Sequence, residues 1–186
     1  MGNNLPPMDR PWPSKLFVEV TTACNLRCAM CVKQSGPGIP DAYLSDETFE
    51  KLVPAFPTLG TLILNGIGEP LLHPGLERYI RTARQNVPAD AVIGFQTNGS
   101  LLTEQRACSL LSAGTDVFSI SVDAADAALF RSMREGGETE DVNRAAAALG
   151  RAKERTGRTG FRWGAELVLA RETRAELPKV IEWVAA

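Results

Sequence analysis

Apolar and polar positions along this chain switch between two periods, and the switching predicts strands and helices in alternation. Leu16 to Val20 reads as a strand. Leu44-Ser45-Asp46-Glu47-Thr48-Phe49 reads as a helix start, with Ser45 as N-cap, two acids in the first turn and Leu44 and Phe49 placed as a hydrophobic staple. The short apolar run Thr61 to Leu64 predicts a second strand, and Leu76, Tyr79, Ile80 and Ala83 recur at helical spacing. Ala91 to Gln96 is the third strand, followed by a helix from Thr103 to Ala113 that Gly114 closes. Asp116 to Val122 is the fourth strand. A short helix around Leu129 and Met133 and a longer one through Val142, Ala145, Ala146 and Leu149 come next. Phe161 to Ala170 is the fifth strand, loosened at Gly164. Thr173-Arg174-Ala175-Glu176 has the form of a capping box, opening a last helix with Leu177, Val180, Ile181 and Val184 as its apolar stripe.

Five β-α units in series imply a parallel sheet with right-handed crossovers. Doubly wound and barrel-like sheets both fit that string. In either, ligands gather at the carboxyl ends of the strands, and each of the first four strands runs into a conspicuous group there. The first ends at Glu19-Val20-Thr21, the second at Asn65-Gly66-Ile67-Gly68-Glu69-Pro70, the third at Gln96-Thr97-Asn98-Gly99 and the fourth at Ser119-Ile120-Ser121-Val122-Asp123. In the fourth, Phe118, Ile120 and Val122 share one face while Ser119, Ser121 and Asp123 share the other. A polar inner face at a carboxyl end suggests a ligand-lined lumen rather than a fully apolar interior.

Composition places few further limits. The chain has 186 residues, 44% of them hydrophobic, and a net charge of −2, which fits one domain with a sizeable core and no disordered composition. A pI near 5.5 argues against a nucleic-acid partner held through phosphates. The basic stretch Arg151 to Arg162 reads as a solvated helix end and loop. No run is long and apolar enough for a membrane span. Met1 to Pro13 is rich in Pro and Asn without a signal-peptide core, and Met-Gly is not followed by a myristoylation pattern. Reducing cytoplasm is the expected compartment.

The chemistry concentrates in Cys24-Asn25-Leu26-Arg27-Cys28-Ala29-Met30-Cys31, which holds three of the four cysteines. Three thiolates can grip a metal, yet a four-iron, four-sulfur cube is normally held by four. The missing ligand leaves one iron open to a substrate or cofactor. A zinc site needs four ligands, and the fourth would have to be Cys108 or His73, the only histidine. Neither belongs to a paired ligand motif. Cys108 reads as a small hydrophobe on a helix facing the sheet and His73 as a loop group. A disulfide framework suits short secreted chains. Gly66-Ile67-Gly68 does not make a phosphate loop, because the third glycine would fall at Leu71 and Glu69-Pro70 brings an anion and removes a donor.

The spacing C-x3-C-x2-C just after a strand resembles the radical S-adenosylmethionine (radical SAM) enzymes. Gly66-Ile67-Gly68-Glu69-Pro70 is similar to that family's Gly-Gly-Glu-Pro motif, with Ile67 in place of the first glycine when the last four are aligned. Met30 stands where an aromatic residue often precedes the third cysteine. The nearest branch is that of molybdenum-cofactor synthesis and peptide-modifying enzymes. The resemblance covers about Leu16 to Ala186. It implies a partial (β/α) TIM-like barrel, with residues 1–14 as a Pro-rich extension and 15–186 as the core domain. Five units are visible where the family has six, so a sixth strand is expected downstream, together with a tail that carries further cysteines.

What the resemblance implies about activity is equally concrete. Cys24, Cys28 and Cys31 would hold a [4Fe-4S] cluster whose open iron chelates S-adenosyl-L-methionine. Reductive cleavage would give a 5′-deoxyadenosyl radical that abstracts hydrogen from a small molecule or peptide. Electrons would come from a low-potential donor such as flavodoxin or ferredoxin. Gly66, Gly68 and Glu69 would meet the methionyl group, Thr97 and Ser121 the nucleoside or methionyl end, and Arg134 the methionyl carboxylate, with Glu166 as a further candidate. The rival is a non-catalytic metal module, zinc-bound or a silent iron-sulfur domain.

Overall fold

The computed structural model describes residues 12–35 and 38–185, so most of the expected N-terminal extension lies outside the described residues. Elements in chain order are β1 (Lys15–Phe17), β2 (Arg27–Cys28), α1 (Asp46–Glu50), β3 (Thr61–Ile63), α2 (Leu76–Asn86), β4 (Val92–Thr97) and α3 (Glu104–Ala113). They continue with β5 (Val117–Ser121), α4 (Ala127–Met133), β6 (Arg134–Glu135), α5 (Thr139–Thr156), β7 (Arg162–Glu166) and α6 (Leu177–Ala185). Short 3-10 turns at Val32–Gln34, Val53–Thr58, Pro70–Leu72 and Arg174–Glu176 fill the connections.

The main sheet decides between the two architectures left open by the sequence. Its strands are all parallel and lie in the order β1-β3-β4-β5-β7. A doubly wound sheet reverses its order at a switch point, whereas this one never does. Right-handed crossovers therefore stack the helices along one side, with α2 against α3 and α3 against α5. The result is a partial barrel wall, open beyond β7. Leu62, Ile93, Phe95, Phe118 and Ile120 form its buried spine. Phe95, Phe118 and Phe161 meet edge to face at centroid distances of 5.2 and 5.8 Å. No helix among the described residues is long and apolar enough to cross a membrane.

Local signals hold where they are complete. Thr103 caps α3 by accepting from Arg106 N, and Gly114 ends it at φ 115°. Leu76, Tyr79, Ile80 and Ala83 are the buried face of α2. Ser45 caps α1 by accepting from Thr48 N, but that helix is only five residues long. Pro54 and Pro57 then hold Val53–Thr58 as a 3-10 segment.

Four expectations are corrected. The first strand is Lys15–Phe17 rather than Leu16 to Val20; only Val18 N continues its ladder, to Ile63 O. The fifth strand ends at Glu166 rather than Ala170, because Val168 N turns to the Asp123 carboxylate and Thr173 Oγ1 donates to Val168 O. Gly164 does not loosen it, since it pairs with Ser119 in register. Thr173 makes no capping bond to the turn it opens. Its hydroxyl serves the preceding turn, while Glu176 accepts from Ala125 N and Asp126 N. The capping box lies instead at Glu138 and Asp141, on α5.

Candidate active site

The cysteine loop is fastened at both ends before any metal is considered. Thr21 Oγ1 accepts from Ala23 N and donates to Ala42 O, and Thr22 Oγ1 donates to Pro40 O. Lys33, largely buried, donates to Thr22 O and pairs with Asp41. In the middle, β2 pairs antiparallel with β6 so that Cys28 faces Arg134, and Ala29 N donates to Met133 O at 2.8 Å. Cys31 N closes a turn onto Cys28 O at 3.0 Å. The three thiols are free and half-buried.

The loop after β3 packs against this one through a missing side chain. A Cβ on Gly68 would lie 2.3 Å from Thr21 O and 2.5 Å from Ala23 O, so only glycine permits the approach. Glu69 N then donates to Ala23 O at 2.8 Å. Glu69 is 2% exposed and its carboxylate oxygens are engaged. Oε1 accepts from Leu71 N at 3.0 Å and Thr97 Oγ1 at 2.7 Å, and Oε2 accepts from Asn98 N at 2.7 Å. Thr97 Oγ1 also accepts from Gly99 N at 3.1 Å. Glu69 and Thr97 thus join the ends of β3 and β4. Glu19 does the same for β1, accepting from Ile67 N at 2.5 Å.

These ends open on one cavity of about 190 Å³. Cys24, Cys28 and Cys31 line it together with Gly66, Gly68, Glu69, Thr97, Ser121 and Arg134. Ser121 accepts from Gln96 Nε2 at 3.0 Å. Asn65 Oδ1, in the same wall, is buried with no hydrogen-bond partner among the described residues. Arg134 is buried, with Nε 2.7 Å from Asp123 Oδ2. Glu166 is exposed and outside the cavity wall, which Val168 reaches instead. Cys108 is half-buried against the core. His73 is a buried loop group, Nδ1 accepting from Gly75 N and Nε2 donating to Leu44 O at 3.0 Å each.

Burial pushes the Cys24 thiol up, offset by the Leu26 amide. Cys28 is likewise raised by burial, with the Arg134 cation pulling it back. Burial also raises Glu69 despite its three donors. Among the described residues no three His, Cys, Asp or Glu side chains converge on one ion. A cube asks for something else, one thiolate on each of several irons around a cavity. Three free thiols and an orphaned acceptor in one pocket fit that group.

Several contributors have no motif in the sequence. Asn25 holds the cysteine loop to β4: Asn98 Nδ2 donates to Asn25 Oδ1 at 3.0 Å, and Asn25 Nδ2 to Ser100 Oγ at 2.8 Å. Position inside the triplet was the one signal available for Asn25. Lys33 and Val168 reach the cavity through turns that no local pattern marks.

The model of the Radical SAM superfamily matches residues 18–184. The chain belongs to the radical SAM superfamily. Similar proteins include a tungsten-containing aldehyde ferredoxin oxidoreductase cofactor-modifying protein of Pyrococcus furiosus, 28% identical over 91% of this chain and 47% of its own length. A GTP 3',8-cyclase of Caulobacter vibrioides is 32% identical over 90% of this chain and 47% of its own length. Among solved structures, native anSMEcpe with bound AdoMet superposes with a TM-score of 0.73 at 21% identity, over 92% of this chain and 48% of that one. BtrN in complex with AdoMet and 2-DOIA gives 0.63 at 20% identity, over 86% and 58%. The chain spans about half the length of these curated relatives. The superfamily's cofactors are a [4Fe-4S] cluster and S-adenosylmethionine.

Proposed function

We propose that this chain is the catalytic core of a radical SAM enzyme of oxidoreductase type, acting on a small molecule or peptide with electrons from a low-potential flavodoxin or ferredoxin. Cys24, Cys28 and Cys31 would hold the cluster, and the residues at the ends of β3, β4 and β5 would meet S-adenosylmethionine. When bound, the pair supplies one-electron cleavage of the sulfonium and a 5′-deoxyadenosyl radical for hydrogen abstraction.

The residues of this chain orient and enclose. Gly68 brings the β3 loop onto the cysteine loop, and Glu69 and Thr97 lock that loop to β4. Asn65 Oδ1 is an acceptor awaiting a donor such as the methionyl ammonium. Ser121 and Gln96 offer hydroxyl and amide to the nucleoside. Leu26 and Met30 supply apolar wall that keeps water from the reacting centre. Cytoplasm, where thiols stay reduced, is the compartment this site suits.

The observation that carries the reading is three free, half-buried thiols in the wall that Gly68 and the strand ends complete. The test is anaerobic reconstitution of wild type and four single cysteine variants, with iron, sulfide and 5′-deoxyadenosine measured. Cys24→Ala, Cys28→Ala and Cys31→Ala each lose the cluster, whereas Cys108→Ala keeps it and costs at most about 1–2 kcal/mol of packing. Zinc without sulfide in the wild type, or equal loss in Cys108→Ala, would overturn the reading.

A further inference from the structure

Arg134 faces Cys28 across the β2–β6 ribbon, and its side chain is 9% exposed. Its Nη1 donates toward Cys28 Sγ at 3.8 Å, within reach of a hydrogen bond to sulfur. On its other side Nε lies 2.7 Å from Asp123 Oδ2, and the Asp123 side chain is fully buried. The Nε–H is not aligned along that contact, so the two are held as charges rather than as a formed hydrogen bond. Asp123 is itself fixed, because Oδ1 accepts from Val168 N at 2.9 Å. A buried ion pair is a costly way to join two segments. This one is also oriented, since the guanidinium and not the carboxylate touches the thiol sulfur.

We infer that Arg134 is a positioning residue that sets the reduction potential of the cluster through Cys28, with Asp123 metering its charge. The inference rests on the reading that the three cysteines hold that cluster. Reduction adds negative charge to the cube and its thiolates. A cation in contact with one ligand sulfur favours the reduced form, and hydrogen bonds to sulfur act in the same direction. Water is largely excluded from the pair, so salt screens it little. The position matters because cleavage of S-adenosylmethionine draws on an electron that the cluster must first accept. An acid on the far side of the cation keeps the potential from rising further.

The test uses the reconstituted full chain as wild type, Arg134→Gln, Arg134→Lys and Asp123→Asn. Iron and sulfide, the midpoint potential from a titration followed by electron paramagnetic resonance, and S-adenosylmethionine affinity are measured on each. Arg134→Gln should lower the reduced-to-oxidised ratio at fixed potential about tenfold, which is about 59 mV for one electron. Arg134→Lys should stay near wild type. Asp123→Asn keeps an acceptor for Val168 N–H and should shift the potential upward, opposite in sign to Arg134→Gln. If Arg134→Gln holds no cluster, the upward shift in Asp123→Asn decides, and its absence overturns the inference. Shifts of one sign in both variants would mean simple loosening and overturn it. So would an unchanged potential with weakened S-adenosylmethionine binding, which would make Arg134 a ligand for the methionyl carboxylate. Wild type without iron and sulfide would instead remove the cluster reading beneath it, a result visible before any variant is compared.

Discussion

Gly66 and Gly68 sit two residues apart in one loop, yet the space around them differs in kind. A Cβ at Gly68 meets two backbone carbonyls, whereas at Gly66 it meets the Glu19 carboxylate at 2.2 Å, the far end of a flexible side chain. Gly68→Ala must therefore push the β3 loop off the cysteine loop, at a cost of about 1–3 kcal/mol or more. Gly66→Ala lets Glu19 swing away and gives up its bond from Ile67 N, about 0.5–1.5 kcal/mol. Urea denaturation of both variants checks the order, and equal losses would remove the case for close approach at Gly68. Glu69 is a second residue-scale case. Gln can satisfy Leu71 N and Thr97 Oγ1 with its one oxygen but turns an NH2 toward Asn98 N–H. Glu69→Gln should cost about 1–3 kcal/mol, read in the same experiment, and a neutral result would mean that the three contacts do not act together.

At the scale of elements, α1 and α2 are joined by Arg78, whose Nη2 lies 2.6 Å from Asp46 Oδ1, and by Tyr79. Tyr79 stacks on Phe49 at 3.9 Å between centroids, and its hydroxyl lies 2.9 Å from both Leu44 O and Asp46 Oδ1. Burial, helped by the Asp46 charge, pushes the Tyr79 hydroxyl up to about 12 from 10.0. The unfolded chain thus releases this proton first. Stability from the group is complete below pH 10 and is lost as pH rises toward 12. Wild type should become easier to denature across that window, and Tyr79→Phe should show less of that loss. Identical pH profiles would show that Tyr79 carries none of it. The same scale explains which elements were legible. Thr103 and Gly114 bracket α3 with signals that act within a turn, so the sequence places it well. Thr173 and Glu176 match a capping pattern, but Thr173 Oγ1 turns back to Val168 O, and Glu176 accepts from Ala125 N and Asp126 N far away in the chain. For Glu176 a tertiary partner takes the place of the local capping bond.

For the whole molecule, the open edge of the sheet is the governing fact. Beyond β7 no strand among the described residues pairs with it, and Leu169 and Ile181 beside it are 64% and 59% exposed. An apolar face next to an unpaired edge favours association. Sedimentation of the isolated 186-residue chain should show concentration-dependent self-association, which Leu169→Lys together with Ile181→Lys reduces. A monomer at all concentrations would contradict this. Sequence by itself determined the elements that close within a few residues, the parallel alternation, and the cysteine triplet, because hydrophobic period, caps and ligand spacing are local properties. It also put the polar strand ends at one mouth, since parallel strands all finish on the same side. Hydrophobic period left two architectures open and the motif resemblance pointed to a partial barrel, which the tertiary structure bears out through its strand order, a matter of which neighbours pair. The tertiary structure alone turned the Glu69 and Thr97 oxygens toward each other and placed Arg134 between Asp123 and Cys28. Those contacts join residues far apart in the chain, and no local pattern encodes a partner at that distance.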